Sequence, residues 1–175
     1  RGLGDVYKRQ VAYGAKIMCV RAGQANGSFA SSDIAKAIKY AADNGADVIN
    51  MSFGGTGRSY LVESALQDAF PSCVLVAAAG NDGLPTNDAK QAGYLFTEDI
   101  YPAGYKYVIG VMATDNNKSL AYFSNWDFKE GSGCEYEMAA PGVGIYSTLP
   151  GNRYACWSGT SMATPNVAAL SLIHI

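Results

Sequence analysis

Long apolar runs are missing from this sequence. No stretch approaches the roughly 18 consecutive apolar residues that a membrane-spanning helix needs. No basic n-region followed by an apolar h-region opens the chain. An excess of one charge is missing as well: Lys and Arg total 13 against 15 Asp and Glu, for a net charge of −2. There is no basic stripe and no acidic block, which argues against nucleic acid or an anionic membrane as the main partner. The four cysteines, Cys19, Cys73, Cys134 and Cys156, fit no zinc spacing and contain no C-x-x-C. No G-x-G-x-x-G or Walker-type loop follows any strand-like run, so a nucleotide site has no support. Histidine occurs once, as His174. Internal repeats and low-complexity tracts are absent.

What is present fits one domain of ordinary size: 175 residues, 49% of them apolar, and 20 glycines, many at turn-like positions. "AKIMCV" (15–20) reads as a buried strand, with Cys19 as a small buried hydrophobe. "SSDIAKAIKYAADNGA" reads as a helix capped by Ser32 or Asp33. Its apolar face is Ile34, Ala37, Ile38, Ala41 and Ala42, and Gly45 stops it. "ADVINMSF" is a strand ended by glycines. "SYLVESALQDAF" is a helix with Leu61, Ala65, Leu66 and Ala69 inward, stopped by Pro71. "CVLVAAAG" is a fully apolar strand of the parallel type, with Cys73 buried at its start. Alternating strands and helices over 15–80 predict an α/β fold with a parallel sheet and right-handed crossovers. Ligands of such sheets bind beyond the carboxyl ends of the strands. Those ends are "GQANGS", "MSFGG" and "AGNDG". Further on, "KYVIGVMA" is a strand, and "YEMAAPG" and "GIYST" are short extended pieces. "NWDFKEGSGCE" reads as a loop, and Cys134 and Cys156 could pair.

The richest segment is "WSGTSMATPNVAAL", Trp157 to Leu170. Pro165 is tolerable within a first helical turn, which puts Ser161 at a helix N-terminus among free amides and the positive end of the dipole. A plain N-cap and a nucleophile with an oxyanion site both fit that position. A serine nucleophile needs a base. His174 lies thirteen residues on, roughly 20 Å along a continuing helix, and no lysine is spaced to replace it. Asn81, after a buried strand, offers a neutral amide donor suited to an oxyanion, although Asn-Asp-Gly is also a strong turn signal. "NMSFGG" offers either a simple turn or a backbone edge for an extended peptide.

Taken together, "GAKIMCVRA", "DVINMSFGG", "VLVAAAGNDG", "YPAGYKYVIGVMATD", "AYFSN", "AAPGVGIYSTLPG" and "SGTSMATPNVAAL" follow the order of the subtilisin-like serine proteases, which the chain resembles over about residues 11–170. The resemblance implies a three-layer α/β fold with a mostly parallel central sheet that lacks N-terminal strands. It implies serine endopeptidase activity in the parent protein through an acyl-enzyme on Ser161. Asn81 and the Ser161 amide would be the oxyanion donors, supported by Thr160. Ser52, Phe53 and Gly54 would form one S1 wall and Ala78, Ala79 and Gly80 the other. Gly27 and Ser28 would hydrogen-bond the substrate backbone. A lining of glycine and alanine beside Phe53 suggests a moderately large apolar P1 residue. Met162 would abut the nucleophile, and Trp157 would lie near the leaving-group side.

Two family blocks, carrying Asp and His, are absent, and Asn166 stands where histidine usually follows "TP". The expectation is a non-native tail at 1–10, a partial peptidase domain at 11–170 and a non-native or truncated end at 171–175, inactive by itself. A non-catalytic peptide-binding relative is the alternative. The resemblance also implies an extended polypeptide substrate, a propeptide or inhibitor as partner, an extracellular or cell-surface location and no required cofactor. Structural calcium is implied without nameable ligands.

Overall fold

The strand that organises the molecule is apolar from end to end, so both of its faces must be covered. In the computed structural model, which describes residues 11–12, 14–24, 26–127 and 135–174, it lies inside a four-stranded sheet. The strands are β1 (Val48–Met51), β2 (Val74–Ala78), β3 (Ile109–Thr114) and β4 (Met138–Pro141). They run side by side in chain order, and every pairing is parallel. The register places Met51 beside Ala77 and Ala78 beside Val111. The ends of β1, β2 and β3 therefore open at one edge.

Two helices, α1 (Ser31–Asp43) and α2 (Tyr60–Ala69), pack on each other over one face. A third, α3 (Thr160–His174), crosses the other face and touches all four strands. Side chains alternate along β2 accordingly. Leu75 and Ala77 join a core with Ile38, Leu66 and Tyr105, while Val76 joins Val111, Ala140, Ala163 and Val167 beneath α3. An antiparallel hairpin, β5 (Ile145–Leu149) and β6 (Arg153–Trp157), leads into α3.

Local chemistry sets the helix ends. Gly45 (φ +77°) closes α1: its N–H donates to the Ala42 carbonyl and the Ala46 N–H to that of Ala41, a Schellman arrangement. The Ser59 hydroxyl accepts from the Val62 N–H and caps α2.

Several expectations are corrected. Residues 15–20 form no strand: Ile17, Met18 and Val20 are exposed, and so is Cys19. An apolar run becomes a strand only with a neighbour to complete its ladder, and among the described residues none pairs with it. Neither Ser32 nor Asp33 caps α1. The N-cap is Ala30, without a side-chain bond. In α2 the inward face is Val62, Leu66 and Ala69, and Leu61 is exposed. Cys73 is buried as expected. Cys156 is a free, exposed thiol, while Cys134 and residues 1–10 lie outside the described residues. Residues 171–174 continue α3.

One carboxyl group in the loops between strands is placed at a cost. Burial, then the neighbouring Asp99, with Asp88 and Asp127 beyond it, pushes the Glu135 carboxyl up to about 7. Asp99 is itself held by the Asn87 backbone and side-chain N–H groups, and Asp127 accepts from the Glu135 and Tyr136 N–H groups. Between the ordinary glutamate range and pH 7 the folded chain therefore keeps a proton that the unfolded chain has released. Stability falls as pH rises through that window. Glu135→Gln, which keeps a donor toward Asp99, should flatten the fall. Melting temperatures of both proteins from pH 4.5 to 8 should diverge in favour of the variant; parallel curves would refute this.

Candidate active site

The site forms where the end of β2 meets the first turn of α3. Thr160, fully buried, donates its N–H to Asn81 Oδ1 at 2.8 Å and its hydroxyl to the same oxygen at 3.0 Å. The Gly80 N–H in turn donates to Thr160 Oγ1 at 3.2 Å. A backbone N–H can only donate, so the Asn81 atom facing it must be the carbonyl oxygen. The amide orientation is thereby fixed, and Nδ2 is left as the donor end of a residue that lines the adjoining cavity.

The first amides of α3 are distributed unequally. That of Thr160 goes to Asn81, and those of Met162 and Ala163 both go to the Gly159 carbonyl. The Ser161 N–H has no acceptor among the described residues. An orphan amide at a helix N-terminus and the free end of an oriented side-chain amide thus belong to two residues that line one cavity. Together they supply two neutral donors, the set that stabilises an oxyanion. The hydroxyl itself donates to the Ser52 carbonyl at 3.0 Å, which ties α3 to the end of β1. Pro165 lies in the second turn of α3, not the first as its tolerance suggested. It lacks the N–H that would otherwise bond the Ser161 carbonyl four residues back.

A cavity of about 450 Å³ opens beside these groups. Phe53, Gly54, Ala78, Gly80, Asn81, Thr160 and Ser161 line it, as do Asp82, Glu98 and Ile100. Ser52, expected in one wall, is not part of that lining; its carbonyl accepts from the Ser161 hydroxyl. Ala79 does not line it: its side chain is fully buried in the core beneath α1 and α2, because alternation along the strand sends neighbours to opposite sides. Gly27 and Ser28 lie in a separate exposed turn closed by Gln24 and Asn26, and they do not reach the cavity lining. Phe29, just after that turn, stacks on Phe53 with ring centroids 4.6 Å apart.

Sequence reasoning missed the supports. Asn125 is fully buried. Its Oδ1 accepts from the Asp82 and Leu84 N–H groups, and its own N–H donates to the Gly80 carbonyl, which holds the turn that carries Asn81. The polar pair Ser124-Asn125 after the apolar "AYF" was the available signal. Asp82 and Glu98 face each other at the cavity, and burial followed by the Asp82 charge raises the Glu98 carboxyl above its ordinary value. His174 belongs to the opposite end of α3 from Ser161.

No helix among the described residues is long and apolar enough to cross a membrane. Nor do they contain a cluster of three or more His, Cys, Asp or Glu side chains able to hold a metal, so no calcium ligands are assigned.

Comparison with known proteins gives one direction. The sequence model of the Subtilase family matches residues 4–173. A thermophilic serine proteinase of Bacillus sp. (strain AK1) is 45% identical over 159 residues, covering 90% of this chain and 35% of that protein. Subtilisin DY of Bacillus licheniformis is 40% identical over 164 residues, covering 93% and 55%. The solved structure of a cold adapted subtilisin-like serine proteinase superposes with a TM-score of 0.76 at 34% identity, covering 94% of this chain and 56% of its own. The chain thus spans between 35% and 55% of the length of these two curated relatives.

Replacing Thr160 by valine keeps its shape but leaves the Gly80 N–H without its acceptor. The expected loss is about 1–3 kcal/mol of stability, read from the denaturant midpoint at unchanged slope. Thr160→Ser should recover most of it.

Proposed function

This chain belongs to the subtilase family, and from that premise we propose that in the whole protein it supplies the nucleophile and oxyanion half of a serine endopeptidase. The supporting observation is the pairing of the unbonded Ser161 N–H with an Asn81 amide whose orientation Thr160 fixes. Ser161 Oγ would attack the carbonyl carbon of a scissile peptide bond. Its proton would pass to a general base, and the developing oxyanion would sit between the two donors. The base would then return the proton to the departing amine, leaving an acyl group on Ser161. Water, deprotonated by the same base, would release the acid.

The base is assigned to residues beyond this chain. The single histidine is thirteen residues from Ser161 along one helix, about 20 Å at 1.5 Å per residue. Before a base engages it, the hydroxyl proton is held by the Ser52 carbonyl. Engagement exchanges one acceptor for another and leaves the backbone in place.

The substrate class follows from the same edge of the sheet. Gly54, Gly55 and Gly80 present backbone to the cavity, which suits an extended polypeptide. An inhibitor or propeptide that mimics such a segment would use the same edge. An extracellular or cell-surface setting is the location that fits the family.

The test is covalent labelling of the full-length protein by a fluorophosphonate. Labelling should map to Ser161 and vanish in Ser161→Ala. Undiminished labelling in that variant, or none in the wild type, would sink the proposal; the latter result favours a non-catalytic peptide-binding relative. Asn81→Asp, which keeps an acceptor for Thr160 but removes the amide donor, should still bind substrate but lower kcat by at least about 10²–10³, the magnitude known for loss of the side-chain oxyanion donor in subtilisin.

A further inference from the structure

The turn that carries Asn81 has little of its own to hold it. Glycines with positive φ stand on either side, Gly80 at +106° and Gly83 at +68°. Among the described residues, neither the N–H nor the carbonyl of Asn81 takes part in a backbone hydrogen bond. Thr160 orients the far end of the Asn81 side chain through Oδ1. The main chain beneath that side chain has to be placed from elsewhere.

Asn125, fully buried, supplies that placement. Its Oδ1 accepts from the Asp82 N–H at 2.8 Å and the Leu84 N–H at 3.2 Å, and its own N–H donates to the Gly80 carbonyl at 3.1 Å. The residue before Asn81 and the residue after it are thus held by one side chain and its backbone. Asn125 is in turn tied to the middle of the sheet. The Ser124 hydroxyl accepts from the Ala113 N–H of β3 at 2.9 Å and donates to the Asn125 carbonyl at 2.9 Å. Asn125 Nδ2 has no hydrogen-bond partner. Burying an unpaired donor is costly, so the acceptor end is what the turn takes from this residue.

We propose that Asn125 is a positioning residue for the reaction: by holding Gly80, Asp82 and Leu84 it places the Asn81 amide where the oxyanion develops, and it acts on the chemistry only through that amide. This deepens the serine endopeptidase reading and rests on it. The tolerance for such placement is small. A donor serves an oxyanion only within hydrogen-bond distance of it, and a misplacement of about 1 Å can cost about 10²-fold in rate. A side chain that merely supports the fold lowers the amount of folded protein. One that positions a donor lowers kcat, and its effect disappears once the donor itself is gone.

The experiment is a double-mutant cycle in the full-length protein. On a single peptide p-nitroanilide, kcat and KM are measured per active site titrated to completion with a fluorophosphonate. Asn125→Leu keeps the approximate volume and removes the acceptor. By itself it should lower kcat by about tenfold or more while KM stays within about twofold. In an Asn81→Asp background, where the amide donor is already lost, the same substitution should lower kcat by less than about threefold. Asn125→Ser, whose oxygen sits a bond closer to the main chain and so leaves the position between the two amides, should give the same pattern and decides the matter if the leucine variant does not fold. Equal losses in the two backgrounds, a rise in KM in place of a fall in kcat, or no effect from either variant would overturn the proposal. A wild-type protein that does not titrate at all overturns the endopeptidase reading beneath it, and the two failures are thus separable.

Discussion

Everything at this site depends on one oxygen atom. Asn81 Oδ1 accepts both polar hydrogens of Thr160, a residue 79 positions later in the chain. The two residues belong to different layers, the end of the sheet and the start of the helix that crosses it. Without the tether, fewer directional bonds would hold α3, those of Ser161 to the Ser52 carbonyl and of Asn166 to the Pro141 carbonyl among them, and more of its placement would fall to non-directional apolar contacts among Ala163, Val167, Val111 and Ala140. Such contacts bring surfaces together but tolerate small slides. Two hydrogen bonds to one oxygen do not. Each contributes about 0.5–1.5 kcal/mol net, but leaving a buried donor unpaired costs more, so the arrangement is enforced chiefly by its alternatives. The same oxygen also decides which end of the Asn81 amide meets the cavity.

The layered core was legible where burial leaves a strong pattern. β2 and β3 are covered on both faces, so they read as apolar runs. The same pattern at residues 15–20 misleads, because apolar composition records a capacity for burial and says nothing about a neighbouring strand. In α2, apolar residues at 61, 62, 65, 66 and 69 allow two overlapping faces. The choice falls to tertiary packing, which buries Val62 and leaves Leu61 exposed.

The site divides in the same way. Ser161, Thr160 and Asn81 were legible because each sits at a strand end or a helix start within the two segments, "AAAGN" and "SGTSMATP", that carry the family resemblance. Ile100, Asn125 and Tyr136 were not, since each acts by touching residues 20 or more positions away, and an isoleucine or a tyrosine in an irregular segment looks like any other. Ala79 shows the opposite error. It sits between Ala78 and Gly80, which line the cavity, yet the period of two sends its own side chain to the core.

Three consecutive residues thus carry three separate constraints, and Gly80 joins them. Its N–H serves Thr160, its carbonyl serves Asn125, and its Cα lies against Ile100. With φ at +106° and Asn125 Nδ2 2.6 Å from where a Cβ would stand, no other residue fits there without displacing a neighbour. The tie to Thr160, the turn that carries Asn81 and one wall of the cavity therefore meet at one backbone position. Ile100 differs in kind. It reaches that backbone only through its γ carbons, and its own main chain is held independently by Tyr136 and Gly104. Directional hydrogen bonds hold Asn81, Thr160 and Ser161 in place, and a separately anchored side chain borders the cavity beside them. A fold built this way can change the second without disturbing the first.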